Sequence, residues 1–227
     1  MREADGCVLA IMTKAPRPGR VKTRLASAHP ADRIVTLYRA LVEDTLDLAR
    51  LMCVPTVAVC PADDEADVAE WLGGGIKVLP QRGIGLADAL SSTFDRLCNE
   101  NGRRVIAFNA DSPHLSTVAL DSAFSALATA DLVVGPCDDG GYYLVGATRS
   151  YPGLFDAGAM GRESACAALL SAAERRGLRV ALSAEHYDID LPTDLVRLAR
   201  ELAREPWRAS RTAALLVEWG LSDTDGA

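Results

Sequence analysis

The order of local patterns constrains this chain more than any other feature: short β-branched runs alternate with longer segments of helical period. Parallel neighbouring strands need a crossover, and a helix that covers the sheet face supplies it, so the alternation predicts βαβ units around a mostly parallel sheet. Strands are expected at residues 8–12, 56–60, 76–79, 105–109, 132–135, 142–146 and 179–182, and helices at 31–51, 65–72, 86–99, 117–128, 163–176 and 192–204. In the first helix Ile34, Leu37, Tyr38, Leu41, Leu46 and Leu48 mark one buried face. Pro206 closes the last, and residues 207–219 read as a further amphipathic helix before a polar tail at 222–227. With 227 residues and neither an internal repeat nor a linker, the expectation is one Rossmann-like, three-layer α/β/α domain over 1–227. Its sheet is mostly parallel but mixed, and the helix at 207–220 is an appendage to it.

A basic loop follows the first expected strand. Lys14, Arg17, Arg20, Lys22 and Arg24 fall in a stretch with no acid between Asp5 and Asp32, although the chain as a whole carries a net charge of -7. Open α/β folds bind ligands at the carboxyl ends of their strands, which is where this loop lies. Within it Pro16 and Pro18 stiffen the chain, and Gly19 allows close backbone approach. Arg20, Lys22, Thr23 and Arg24 supply charge and hydrogen bonds, which together suit a polyphosphate. A P-loop is excluded, because Val21 stands where the glycine before a Lys-Thr pair is required. The plainer reading is a solvated basic loop.

Acids follow further on. Residues 105–109 run into Asn109-Ala110-Asp111-Ser112-Pro113, which puts Asp111 just beyond the sheet edge. In Tyr187-Asp188-Ile189-Asp190 the two acids lie at i and i+2 and point the same way in extended chain. Asp111, Asp188 and Asp190 could together hold Mg2+ or Mn2+, which is satisfied by a few carboxylates, water and substrate phosphates. Singly, Asp111 also suits a turn and Asp190 a helix cap. Asp138-Asp139-Gly140-Gly141 reads either as a hairpin turn or as an acceptor site, with Gly140, Gly141 and Tyr142 against the acceptor. Gln81, Gly83 and Gly85 lead from a strand into a helix and could meet base or ribose. His29, His114 and His186 have no ligand spacing, and the six cysteines form no C-x-x-C pair. The acidic balance argues against a general nucleic-acid binder. Residues 7–13 are too short and too acidic in their flank for a signal or a span, so the cytoplasm is expected and a membrane partner is not.

Taken in order, PRPGRVKTRLA, QRGIGLADAL, NADSPHL, GPCDDGGYYLVG and YDIDLPTDL resemble the DUF2064-type family of the nucleotide-diphospho-sugar transferase superfamily. The ground plan is also similar to guanylyltransferases that activate phospholactate or phosphoenolpyruvate, and more distantly to molybdenum-cofactor nucleotidyltransferases. The resemblance spans nearly the whole chain and implies that fold. It also implies that Lys22, Thr23 and Arg24 meet a triphosphate, and that Asp111 and Asp190 hold magnesium. Asn109 departs from a glycine common in those relatives. Leu191 departs from a threonine, and losing such a helix cap costs about 1 kcal/mol. The function expected first is metal-dependent transfer of a nucleoside monophosphate from a triphosphate to a small phosphorylated or carboxylated acceptor, with Lys22, Arg24 and Asp111 catalytic. Glycosyl transfer from a nucleoside-diphosphate sugar is the alternative, and a non-catalytic nucleotide- or partner-binding domain the third reading. The tryptophan-bearing terminal helix offers a surface for a homodimer.

Overall fold

The computed structural model describes residues 6–98, 103–155 and 158–221. The expected polar tail, and Asn99 at the end of one expected helix, lie outside the described residues. Among these residues seven strands form one sheet: β1 (Cys7–Met12), β2 (Thr56–Cys60), β3 (Lys77–Pro80), β4 (Arg104–Asn109), β5 (Leu132–Pro136), β6 (Tyr142–Ala147) and β7 (Val180–Leu182). The helices are α1 (Ala31–Leu51), α2 (Glu65–Leu72), α3 (Gly85–Cys98), α4 (Thr117–Ala126), α5 (Ala165–Glu174), α6 (Pro192–Arg204) and α7 (Ser210–Glu218).

Strand order is β3-β2-β1-β4-β6-β5-β7, and β6 alone runs antiparallel to its neighbours. Side chains alternate across the sheet and build two cores. Leu9 and Ile11 of β1 pack with Val42 and Leu46 of α1 and Leu120 and Phe124 of α4. Val8 and Ala10 face the other way, onto Leu90 and Phe94 of α3 and Leu169 of α5. The result is the expected three layers. From β1 the chain first builds outward through β2 and β3, then returns to place β4 on the other side of β1. That reversal opens a crevice beyond the carboxyl ends of β1 and β4.

Element ends differ from the sequence reading by one or two residues at several places. The fourth helix stops at Ala126 because the following amides turn back, Ala128 N–H donating to the Ser125 carbonyl at 3.0 Å. Strand β3 sits one residue later than expected and closes on Pro80, which an edge strand tolerates. The expected helix at 207–219 is broken. Pro206–Arg208 forms a 3-10 turn and α7 starts at Ser210, because the buried Asp44 of α1 accepts the Arg211 and Thr212 amides at 3.3 and 2.8 Å and fixes a new helix start there. "Appendage" understates this segment, since Ala213 and Leu216 share a core with Ile34, Leu37 and Leu41 of α1 and Leu198 and Leu202 of α6. Among the described residues no helix is long and apolar enough to cross a membrane.

Candidate active site at the carboxyl edge of the sheet

The basic loop leaves β1 and is tied down at once. The Ala15 amide donates to Asp64 Oδ2 at 2.9 Å, and Arg17 reaches Asp64 Oδ1 at 2.9 Å and, through Nε, Asp67 Oδ2 at 3.0 Å. Arg17 therefore clamps the loop to the start of α2 and is not a free phosphate cation. Pro18 and Gly19 then make a turn: Gly19 has φ 69° and the Arg20 amide donates to the Arg17 carbonyl at 3.1 Å, the pattern of a type II turn. Gly19 is accounted for by that turn. Pro16 and Gly19 line neither of the two cavities described below.

Beyond the turn the chain enters a 3-10 helix at Thr23–Ser27, with Lys22 in the left-handed region at φ 45°, ψ 44°. For a residue with a Cβ that conformation costs about 1–2 kcal/mol and persists only where surroundings enforce it. Here they are carboxylates. The Lys22 ammonium forms an ion pair with Asp111 Oδ2 and a 2.9 Å bond to Asp190 Oδ1, while Arg24 reaches Asp190 Oδ2 at 3.4 Å. The three segments picked out by sequence, from the beginning, middle and end of the chain, thus converge. Burial opposes the Lys22 charge, but Asp111 and Asp190 outweigh it and raise its pKa above the ordinary lysine range. Burial likewise opposes ionisation of Asp190, and Lys22 with Arg24 more than reverses this.

Asp111 is positioned from below. Thr45 Oγ1 of α1 donates to the Ala110 carbonyl at 3.1 Å as well as to its own helix at 2.8 Å. Asp188 is held differently: Asn109 Nδ2 donates to its Oδ1 at 2.5 Å, and the Cys137 thiol lies 3.4 Å from the same oxygen. The asparagine that departs from the family pattern thus anchors one of the acids. Burial first, then the Asp111 charge, push the Asp188 carboxyl up to about 7. Leu191 supplies no side-chain cap to α6, yet Asp194 Oδ2 reaches back to accept the Asp190 and Leu191 amides at 2.9 and 2.6 Å, and Pro192 has no amide to satisfy. The expected loss at that helix start is offset by the residue three positions on.

Two cavities adjoin here and share Lys14, Tyr38 and Asp111 as a common wall. The larger, about 620 Å³, has a mostly apolar lining that includes Met12, Val59, Pro61 and Leu86, with Gln81, Gly83 and Gly85 at its rim. The smaller, about 300 Å³, is lined by Arg20, Lys22, Thr23, Arg24 and Asp190 besides the shared residues. Among the described residues no acid pairs with Lys14 or Arg20, in contrast to Arg17, Lys22 and Arg24. Tyr38 was legible in the sequence only as one residue of a helix face. Its hydroxyl accepts the Lys14 amide at 2.9 Å and shares a 3.0 Å bond with Thr13 Oγ1, so it stands at the junction of the cavities. At the rim of the larger cavity, Gly83 and Gly85 have φ 80° and 83° and flank Ile84, which is 91% exposed. Asp88 accepts the Ile84 amide at 2.8 Å, and a Cβ at Gly83 would meet its Oδ2 at 2.3 Å.

Gly140 and Gly141 lie in the five-residue connection between β5 and β6, and line neither cavity. A Cβ at Gly140 would stand 1.9 Å from the Glu163 carbonyl oxygen, and the Gly140 carbonyl accepts the Cys166 amide at 3.0 Å. Close packing against the start of α5 accounts for the glycine. The Tyr142 hydroxyl contacts Met160 Sδ at 3.3 Å. Behind residues 186–190 stands a group of rings that sequence spacing did not suggest. His114 lies 4.2 Å from His186 and 4.5 Å from Tyr187, centroid to centroid, and Arg197 stacks 3.6 Å over Tyr187 while bonding Asp138 at 2.7 Å. Burial holds His114 well below its ordinary value, and burial with Arg197 lowers His186 to about 4, so both rings are neutral near pH 7.

Among the described residues no three His, Cys, Asp or Glu side chains already enclose a metal-sized space. What the loops bring together is a pair of aspartates on one ammonium, with the other oxygen of Asp111 buried and without a hydrogen-bond partner. A hard divalent cation such as Mg2+ or Mn2+ takes a few carboxylate oxygens and fills its remaining positions with water and phosphate, so this donor set fits it.

The family model described as "uncharacterized protein conserved in bacteria (DUF2064)" matches residues 45–162. A crystal structure of a candidate nucleotide-diphospho-sugar transferase from Desulfovibrio desulfuricans G20 is 30% identical, with 95% of this chain and 96% of that one covered and a TM-score of 0.87. More distant structures share the fold. A CMP:2-keto-3-deoxy-manno-octonic acid synthetase complexed with CTP is 13% identical over 88% of this chain and 100% of its own, with a TM-score of 0.56. The Rv0371c protein of Mycobacterium tuberculosis H37Rv in complex with manganese is 17% identical over 85% and 97%, with a TM-score of 0.52. No curated protein matches the sequence. Its matched segment, its 30%-identical relative and its layered sheet agree: the chain belongs to the DUF2064 family and has the nucleotide-diphospho-sugar transferase fold.

Proposed function

We propose that this protein is a divalent-metal-dependent nucleotidyltransferase, which moves a nucleoside monophosphate from a nucleoside triphosphate to a small phosphorylated or carboxylated acceptor. The observation that carries the reading is the pair of adjoining cavities: a large apolar one beside a small cationic one, meeting at Lys14, Tyr38 and Asp111. A nucleotide has that same polarity, an aromatic base at one end and a polyphosphate at the other. Similarity in fold to a CTP-bound synthetase and a manganese-bound protein supports the reading.

In the reaction an acceptor oxygen bonds to the α-phosphorus while the bond from that phosphorus to the bridging oxygen of the β-phosphate breaks, and pyrophosphate leaves. Lys22, Arg20 and Arg24 face the leaving phosphates and stabilise the charge that gathers there. Asp111 and Asp190 are the residues that would hold the divalent cation, with Asp188 beside them. When bound, the cation polarises phosphate oxygens and helps align in-line attack. No protein nucleophile is needed, and the Cys137 thiol beside Asp188 is a poor one because burial and then Asp188 raise its pKa above the ordinary thiol range.

The 30%-identical relative carries the name of a sugar-nucleotide enzyme, so donor identity is the point to test. Calorimetric titration with the four nucleoside triphosphates and with nucleoside-diphosphate sugars, each with and without Mg2+ or Mn2+, is expected to select one triphosphate in a metal-dependent manner. Incubation with small phosphates and carboxylates should then release pyrophosphate. Release of a nucleoside diphosphate from a sugar nucleotide would establish the glycosyl reading instead, and absence of any metal-dependent nucleotide binding would overturn both.

A further inference from the structure

We propose that Lys22 is a built-in counter-cation: its ammonium occupies the position between Asp111 and Asp190 that a metal ion needs, and moves to the nucleotide's phosphates as the metal enters. This rests on the nucleotide-binding reading above and adds how the site is loaded.

Three observations carry it. The Lys22 ammonium bridges Asp111 and Asp190, the two carboxylates that converge on one point. Its side chain is 5% exposed against 59% for Arg24, so Lys22 and not Arg24 is the inner cation. It also lines the small cavity beside Arg20, so the ammonium has phosphate-binding space next to its present position. A divalent ion placed on the same two carboxylates would crowd against the ammonium, because like charges at such separations repel strongly in a partly buried site. Metal entry and ammonium departure are therefore one exchange.

A departing ammonium needs another anion, and a bare metal ion brings none. A polyphosphate does, so metal and nucleotide each favour the state that the other requires. Metal alone binds only to the minor form in which Lys22 has left, and its apparent affinity is lowered by that fraction.

The test is Mn2+ binding to the nucleotide-free protein, read by electron paramagnetic resonance, in the wild type and in Lys22→Met. Removing the competitor is expected to tighten nucleotide-free Mn2+ binding by about tenfold or more, the factor for a site only about a tenth available. It should also enlarge the rise in melting temperature that Mn2+ produces. Unchanged or weaker Mn2+ binding in a folded Lys22→Met protein overturns the exchange.

Should bared carboxylates prevent that variant from folding, the wild type answers the same question. It has three lysines, Lys14, Lys22 and Lys77, so the 15N-resolved ammonium signal of the buried one is readily assigned. Mg2+ alone is expected to leave that signal in place, and Mg2+ with inorganic tripolyphosphate to shift it. A signal unmoved while Mg-tripolyphosphate binds overturns the proposal. If no nucleoside triphosphate binds at all, the nucleotidyltransferase reading fails, while the Mn2+ comparison still decides the exchange.

Discussion

The two cavities are built on opposite principles. In the cationic one the inner groups are committed, Lys22 to two aspartates, Arg24 to one of them and Asp111 to a loop held by Thr45, while Lys14 and Arg20 pair with no acid among the described residues. The apolar one is bordered by a loop in which two left-handed glycines present a nearly fully exposed Ile84 to solvent. The difference teaches where the fold spends its order. On the proposed reading the carboxylates are held in place before the ligand arrives, as electrostatic catalysis by preorganised groups requires, and Lys22 alone exchanges partners. On the same reading, a surface that meets a flat base can close around it afterwards.

That contrast can be broken most sharply at Asp111. Asp111→Ala is expected to lower turnover by about 10²-fold or more, the usual cost of one electrostatic element, with the protein still folded by circular dichroism. Pyrophosphate release under saturating nucleotide measures it, and near-normal turnover would show that the cationic side does not carry the chemistry.

The ring cluster behind residues 186–190 gives a pH test of the same side. His114 is neutral and buried, near His186, Arg197 and Arg208, so its folded pKa lies below the unfolded value. The unfolded chain therefore binds more protons, and stability falls as pH drops below about 6.5. One such group contributes a slope of about 1.4 kcal/mol per pH unit in that window. His114→Gln is expected to remove that share of the slope in thermal melts between pH 7 and 5, and an unchanged profile would mean the ring is not buried neutral.

The smallest effect belongs to the apolar side. Ile84→Ala is expected to weaken nucleotide affinity by a few-fold, from partial loss of an apolar contact worth about 1 kcal/mol, while saturated turnover stays the same. Should turnover fall with affinity, the rim loop would belong to the chemistry and the contrast would not hold.

Much of this was visible in the sequence because it rests on local pattern. Alternating periods gave the layers, and the basic loop and Asp111, each just past a strand, together with Asp188 and Asp190 two apart in extended chain, marked the segments that converge. What escaped were pairings set by tertiary approach. Arg17 reads as one more cation until Asp64 and Asp67 arrive from the next crossover. Asn109 reads as a departure from pattern until Asp188 meets it. Tyr38 has the spacing of a core residue, and only its hydroxyl, which needs a partner when buried, hinted at a second role. Gly140 was open to two readings, and the close approach of α5 is a contact between segments that spacing alone does not reveal.

One feature of the sheet reaches further. Because β6 runs against its neighbours, the link from β5 to β6 is a short hairpin, and it emerges on the same edge as Asp111 with Cys137 touching Asp188. Strands β1 to β4 each feed a helical crossover to the next strand, whose length is set by the layer it must cover. The hairpin crosses no layer, and it is tied instead by Gly140 against the start of α5 and by Asp138 to Arg197. Extra residues inserted beside Asp139 would lengthen a loop at the edge that carries Asp111 while the parallel strands kept their register, so this link is where that edge can change shape without a change of fold.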